Sequence, residues 1–322
     1  MCKTHITKII ATTIILVSAL AVNSVSAHKS VALEYKKVNG AQVRVVTVNL
    51  KDPTVKVDIG LPSKGISHSE SFVKMVYQHQ PIAAVTGTYF CTKTLTPVGS
   101  IVSNGKLIHK ANVGSAVAFN YDGEAKIVPL KKGQNHDWNG VITGLRTGPL
   151  LLSNGSYALN PKDEGYRDPG LFGRKTRMAL GITSHNKLLL VAVQTPVTFG
   201  QSASIMKKLG AVEALCLDGG SSSAMYYKGK MILRPQRSLT NLLEIRKVPD
   251  YMVKQKLSNS QYEKLAKNSI SSPKRSKLTL SEWLEKNKPV NDNIFSIYHS
   301  RLKHPVYDEI NTNSNFISSV KI

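Results

Sequence analysis

Between Val31 and Val248 the apolar residues recur at a spacing of two, in short runs separated by turn-forming pairs. Val43, Val45 and Thr47 alternate with Arg44, Val46 and Val48. Val55 to Ile59 alternates in the same way, with Asp52-Pro53 between the two runs. Period two is the signature of strands with one face buried. Asn104-Gly105, Asp122-Gly123 and Asn154-Gly155 punctuate later runs, and such pairs supply the positive φ that tight hairpins need. Further strands are predicted over Pro81 to Phe90, Met178 to Ile182, Leu188 to Gln194, Val212 to Leu217 and Leu242 to Val248.

Helices are few. One is predicted with Ser67 or Ser69 as cap, Glu70 in its first turn, and Phe72, Val73, Val76 and Tyr77 on its inner face. A second spans Ser202 to Leu209 and stops at Gly210. Strands and helices do not alternate as βαβ units, so the expected fold class is α+β, with mixed, mainly antiparallel sheets. Asn160 to Lys175 is dense in Pro, Gly, Asp and Arg and reads as a mobile loop.

The two ends of the chain differ from this body. Residues 1–27 read as a secretory signal: Lys3 and Lys8, an apolar run from Ile9 to Val22, then Val25-Ser26-Ala27. The alternative is an uncleaved anchor, for which the run is short. No later stretch is apolar enough to span a membrane. The expected location is therefore secreted or periplasmic. Residues 28–249 form the body. Residues 250–322 are rich in Lys, Ser and Asn and read as a partly disordered extension, with a helical patch near Trp283 and Leu284.

Charge narrows the partners. The chain carries a formal +23, which favours phosphates, anionic polymers or anionic surfaces. Export, an aromatic content of 7% and the absence of a recognised motif argue against nucleic acid. Anionic cell-surface glycans fit both export and charge. Beyond Cys2, the chain has Cys91 and Cys216. An oxidising compartment permits a disulfide, and spacing alone does not decide between a bridge and two separate thiols.

The chemistry concentrates in Glu213 to Ser223, where a buried strand ends in Asp218 followed by Gly219, Gly220 and Ser221. The strand fixes the carboxylate, and the glycines allow a ligand to approach the backbone. Free N–H groups in such a turn can receive an anion. A Gly-rich hairpin with an Asp cap explains the same residues. Three other segments also place polar groups at strand ends: Ala84 to Phe90, Arg177 to Ile182 and Arg237 to Leu243.

Taken in order, Thr86 to Phe90, Gly148-Pro149-Leu150, Arg177-x-Ala-x-Gly181, Leu217-Asp-Gly-Gly-Ser-Ser-Ser223 and Arg237-x-x-x-Asn241 resemble the phosphodiester glycosidase family, that of the mannose 6-phosphate uncovering enzyme and of bacterial exopolysaccharide-associated proteins. The likeness spans about residues 33 to 248. Two positions depart from the pattern. Thr86 stands where the family has Asn, and Thr88 where it has a second glycine.

The resemblance implies cleavage of a sugar from a phosphodiester. Asp218 would act at the anomeric carbon or orient a water, and Arg177 would hold the phosphate with its planar fork. Thr86, Gly87, Thr88, Gly219, Gly220, Ser221, Arg237 and Asn241 would line the substrate. Cys91 and Cys216 would sit at strand ends facing one pocket, as a candidate disulfide. Glu70, Glu164 and Asp168 are the carboxylates available as a partner for Asp218. The scattered histidines show no metal-site spacing. No cofactor is called for, and a divalent cation beside Asp218 is compatible with the residues without being demanded by them. The alternative function is a non-catalytic protein that binds anionic polysaccharide or assists exopolysaccharide assembly. The sugar and the oligomeric state are left open.

Overall fold

A computed structural model describes residues 30–253. The expected signal at 1–27 lies outside the described residues, as does all of the expected extension beyond residue 253. In chain order the strands are β1 (Val31–Val38), β2 (Ala41–Asn49), β3 (Val55–Gly60) and β4 (Ala83–Thr86). They continue with β5 (Gly99–Ser103), β6 (Lys106–Asn112), β7 (Ser115–Phe119), β8 (Ala125–Val128) and β9 (Thr143–Thr147). Next come β10 (Leu150–Ser153), β11 (Ser156–Tyr157), β12 (Lys175–Thr183), β13 (Lys187–Val197) and β14 (Ala211–Leu217). The last are β15 (Met225–Tyr227), β16 (Lys230–Leu233) and β17 (Leu242–Lys247). Helix α1 (Phe72–His79) precedes β4, and α2 (Phe199–Lys208) precedes β14.

The strands form three sheets. Their orders are β1-β2-β13-β12-β14-β10-β11, β16-β15-β4-β17-β3 and β6-β5-β9-β7-β8. Every strand pair among the described residues is antiparallel. The expected mainly antiparallel sheets with few helices are present, and the α+β label fits only roughly because the fold is mostly β. Two helices of 8 and 10 residues are covers for sheets, not a layer of their own.

Alternation along the strands explains the packing. Leu180, Leu190, Leu215 and Leu217 of the first sheet meet Val57, Ala83 and Leu243 of the second and Ile101, Val117 and Leu145 of the third in one shared core. The intervening residues Ala179, Val191, Ala214 and Cys216 face α2, through Ala203, Ile205 and Met206. The second sheet likewise turns Ala84 and Leu242 toward α1, through Phe72, Met75 and Val76. β14 is thus buried on both faces, which accounts for its near-continuous apolar run.

Helix α1 starts later than expected. Ser71 is its cap, accepting from the Lys74 N–H. Packing on Ala84, Leu239 and Leu242 selects Phe72, Met75 and Val76 as its buried face and leaves Val73 and Tyr77 exposed. Glu70 sits before the helix in a bridge with Leu239. Helix α2 begins at a capping box of Thr198 and Gln201, three residues before the expected start.

Among the described residues no helix is long and apolar enough to cross a membrane.

Candidate active site

Backbone hydrogen bonds bring the five motif segments to the C-terminal end of β14. The Asp218 N–H donates to Gly87 O at 2.9 Å, and the Gly87 N–H donates to Asn241 O at 3.1 Å. The Cys216 N–H donates to Pro149 O at 2.9 Å. Met178 lies opposite Leu217, which sets the start of β12 beside the turn. A Cβ on Gly219 would lie 2.9 Å from Thr176 O, so this position needs glycine for close approach of two backbones. Gly220 has φ +57, a left-handed conformation that glycine adopts without strain.

Asp218 is 8% exposed. Burial raises its carboxyl to about 7, against the opposing pull of the Ser222 hydroxyl, the charge of Arg237 and the Gly219 N–H. A carboxylic acid held near neutrality among converging polar groups marks this turn as the candidate site. Gly219, Gly220 and Ser221 are half-buried beside it. Tyr89 and Tyr166 are buried with ring centroids 5.4 Å apart, and burial raises both hydroxyls well above their ordinary value. Thr88 Oγ1, Tyr166 Oη and Ser223 Oγ are buried with no protein partner. Buried hydroxyls of this kind are normally satisfied by water or ligand.

Other expected site residues are engaged elsewhere. The buried Asn241 side chain accepts from the Thr88 N–H at 2.7 Å and donates to Thr88 O at 3.2 Å and Thr240 Oγ1 at 2.9 Å. It clasps the backbone of Thr88 rather than facing an open site. Arg177 is 2% exposed. Its guanidinium donates to Leu171 O at 2.7 Å, Gly173 O at 2.6 Å and Val197 O at 3.1 Å, and lies 3.9 Å from the centre of the Phe199 ring. Nε and Nη2 are thus bonded to backbone carbonyls, which makes this side chain a pin between the loop, the end of β13 and α2. Thr86 is 2% exposed and paired with Leu242. Arg237 is exposed.

The loop expected to be mobile is anchored. Glu164 accepts from the Ser115 N–H and hydroxyl and from the Leu150 N–H at 2.8–3.0 Å, and burial raises its carboxyl. Tyr166 packs on Tyr89, and Arg177 holds Leu171 and Gly173. The three candidate partner carboxylates each have local partners, though Asp168 is exposed and accepts only one bond. Glu164 is used as described, Asp168 accepts from the Gly170 N–H, and Glu70 is drawn down to about 2 by Lys74 and Ser63.

The candidate disulfide is absent. Cys91 and Cys216 are free, Cys91 exposed in a turn and Cys216 buried. Cys216 faces α2, where burial pushes its thiol up to about 12. Two thiols held in such different places have no shared strand-end pocket.

Sequence reading missed Tyr166 and Ser222. The one aromatic in the polar loop 160–170 was the available signal for Tyr166. A cleft of about 910 Å³ lies against the β7–β8 hairpin and residues 136–141, with Lys51, and Asn186 of the β12–β13 turn, also lining it. Asn186 adjoins the opposite end of β12 from Met178 and Leu217, and no motif residue lines the cleft. The convergence of polar groups, not cavity size, locates the site.

A tight contact yields the first prediction. A Cβ on Gly87 would fall inside the contact distance of Asn241 Oδ1. Asn241 cannot move without releasing Thr88. Gly87→Ala is expected to cost about 2 kcal/mol, the usual scale of overpacking, read as a lowered denaturant midpoint. An unchanged midpoint would show that the clasp gives way freely.

Comparison with known proteins follows the same pattern. No curated protein sequence matches this one. A hypothetical protein from Synechocystis has a similar structure, with a TM-score of 0.59 at 17% identity over 68% of this chain and 62% of that one. The match thus spans less than two thirds of the Synechocystis protein. The catalytic domain of zebrafish N-acetylglucosamine-1-phosphodiester alpha-N-acetylglucosaminidase, auto-inhibited by its pro-peptide, gives 0.55 at 19% identity over 68% of this chain and 82% of that one. A Burkholderia pseudomallei protein named as exported gives 0.52 at 15% identity over 64% and 74%. At these identities the structures share the fold. The phosphodiester glycosidase family model matches residues 79–253, more than half of the chain and inclusive of all five motif segments. The chain belongs to the phosphodiester glycosidase family.

Proposed function

We propose that this protein is an exported hydrolase that cleaves the bond between a sugar and phosphate in a sugar phosphodiester of envelope or extracellular glycans. The observation that carries the reading is Asp218: a buried carboxyl near neutrality, at the point where the five family segments meet. Family membership and the basic balance of the chain support it.

In the proposed reaction water adds at the anomeric carbon, the C1–O bond breaks, and the phosphate departs with the bridging oxygen as a monoester. That leaving group carries its own charge, so it needs less protonation than an ordinary alcohol. Asp218, as carboxylate, takes the proton of the water or bonds the anomeric carbon itself. Gly220 and Ser221 offer donors at the half-exposed rim, and Arg237 adds positive charge. Arg177, by this geometry, serves the site by holding its loop.

A second reading is a non-catalytic polysaccharide-binding protein. The buried Thr88, whose side chain fills a position that the family leaves as glycine, favours it. A panel of sugar-1-phosphodiesters separates the two. With added phosphatase, the enzyme reading expects inorganic phosphate from at least one substrate. Salt-sensitive polysaccharide binding with no phosphate from any of them supports the second reading instead.

A further inference from the structure

We propose that Lys175, with Arg237, is the cation pair that holds the substrate phosphate, in the place that sequence reasoning gave to Arg177. The inference rests on the glycosidase reading above. It starts from a gap that the structure opens in that reading. A phosphodiester carries a full negative charge, and Arg177 is 2% exposed with its Nε and Nη2 bonded to the carbonyls of Leu171, Gly173 and Val197. An exposed cation beside the glycine turn would complement the charge that the turn's N–H groups receive.

Lys175 stands at the right place. It opens β12, two residues before Arg177, and its Cδ is 3.6 Å from the position a Cβ on Gly220 would take. Its aliphatic stem therefore lies across the Gly219–Ser221 turn, with the ammonium free to reach past it. Lys175 is exposed and forms no ion pair among the described residues. Arg237 abuts the same turn, because the Gln236 N–H donates to Ser221 O at 2.8 Å. Arg237 is exposed, also lacks a carboxylate within ion-pair distance, and its charge acts on Asp218.

The strand itself directs Lys175 away from the pattern of its neighbours. Lys175 lies opposite Val197 but Arg177 lies opposite Val193, so β13 carries extra residues at Gln194–Pro196. Such a bulge re-aims the side chains beside it and is common next to active sites. It lets Arg177 turn into the protein while Lys175, two residues away, stays on the surface over the glycine turn.

The test uses the purified full chain and two variants, Lys175→Met and Lys175→Arg, checked for native melting. Glucose 1-phosphate is the binding probe, and the best phosphodiester of the panel is the kinetic probe. A charge-assisted contact of this kind is worth enough that its loss weakens binding about tenfold or more. Lys175→Met is expected to weaken glucose 1-phosphate by that factor and to raise KM for the phosphodiester more than it lowers kcat, with Lys175→Arg restoring most of both. Equal glucose 1-phosphate affinity in wild type and Lys175→Met overturns the assignment, as does absence of binding to wild type. Absence of turnover alongside Lys175-dependent binding overturns the glycosidase reading and leaves the phosphate site standing.

Discussion

Arg177→Ala is expected to destabilise the protein by about 3–5 kcal/mol, the scale of truncating a large, fully buried side chain together with its hydrogen bonds. The loss comes from three places. The carbonyls of Leu171, Gly173 and Val197 are left without their donor. The Phe199 ring loses the guanidinium stacked 3.9 Å from its centre. The space of a large, fully buried side chain opens between β12 and α2. Lysine cannot replace the fork, because one ammonium does not span carbonyls on the loop and on β13 together, so Arg177→Lys is expected to recover less than half of the loss. Urea midpoints measure the cost, and faster proteolysis within residues 167–174 reports release of the loop. A near-native midpoint with a large loss of substrate affinity would instead return Arg177 to the phosphate.

Asp218→Asn is expected to lower turnover about 1000-fold, in the range typical for loss of a general base, while making the fold more stable. The second effect follows from linkage. The folded carboxyl titrates at about 7, against 3.8 for the ordinary group. A raised folded pKa means that this group's contribution to stability is fully present below about pH 4 and is lost as pH rises through 7. At pH 8 the ionised, buried Asp218 therefore costs up to about 4 kcal/mol, and asparagine carries none of it. The thermal midpoint of Asp218→Asn should exceed that of wild type at pH 8, with the gap closing toward pH 4. Turnover of the wild type should rise with pH through about 7, as the carboxylate forms. Equal melting of the two proteins across this range would show that Asp218 is not a buried acid.

Much of this architecture is legible in the residues, and the parts that are not share a cause. Period-two runs and Asn-Gly or Asp-Gly turns identify most strands, including β5–β6 and β7–β8, because each hairpin has a local signal. β9 has none. Its buried residues are Thr143, Gly144, Leu145, Arg146 and Thr147, so it reads as polar. Gly144 is buried because Trp138 covers it, and Arg146 because its guanidinium reaches the carbonyls of Gly114, Gln134 and Lys131. Those partners come from distant segments and leave no local trace.

The site divides in the same way. The turn at Asp218 and its meeting with Thr86–Thr88 and Asn241 are carried by motif order. Which polar groups face the substrate is not. Arg177 and Asn241 satisfy backbone groups brought near only by folding, whereas Lys175 is exposed by a bulge on its neighbour. The two cysteines illustrate the point again, since strand alternation turns Cys216 to α2.

Hydrolysis of a sugar-1-phosphodiester in water enriched in oxygen-18 tests the central claim most directly. If Asp218 directs water to the anomeric carbon, the label appears in the released sugar, and the phosphomonoester shows no isotope shift by phosphorus NMR. Label in the phosphomonoester, from attack at phosphorus, would contradict the account.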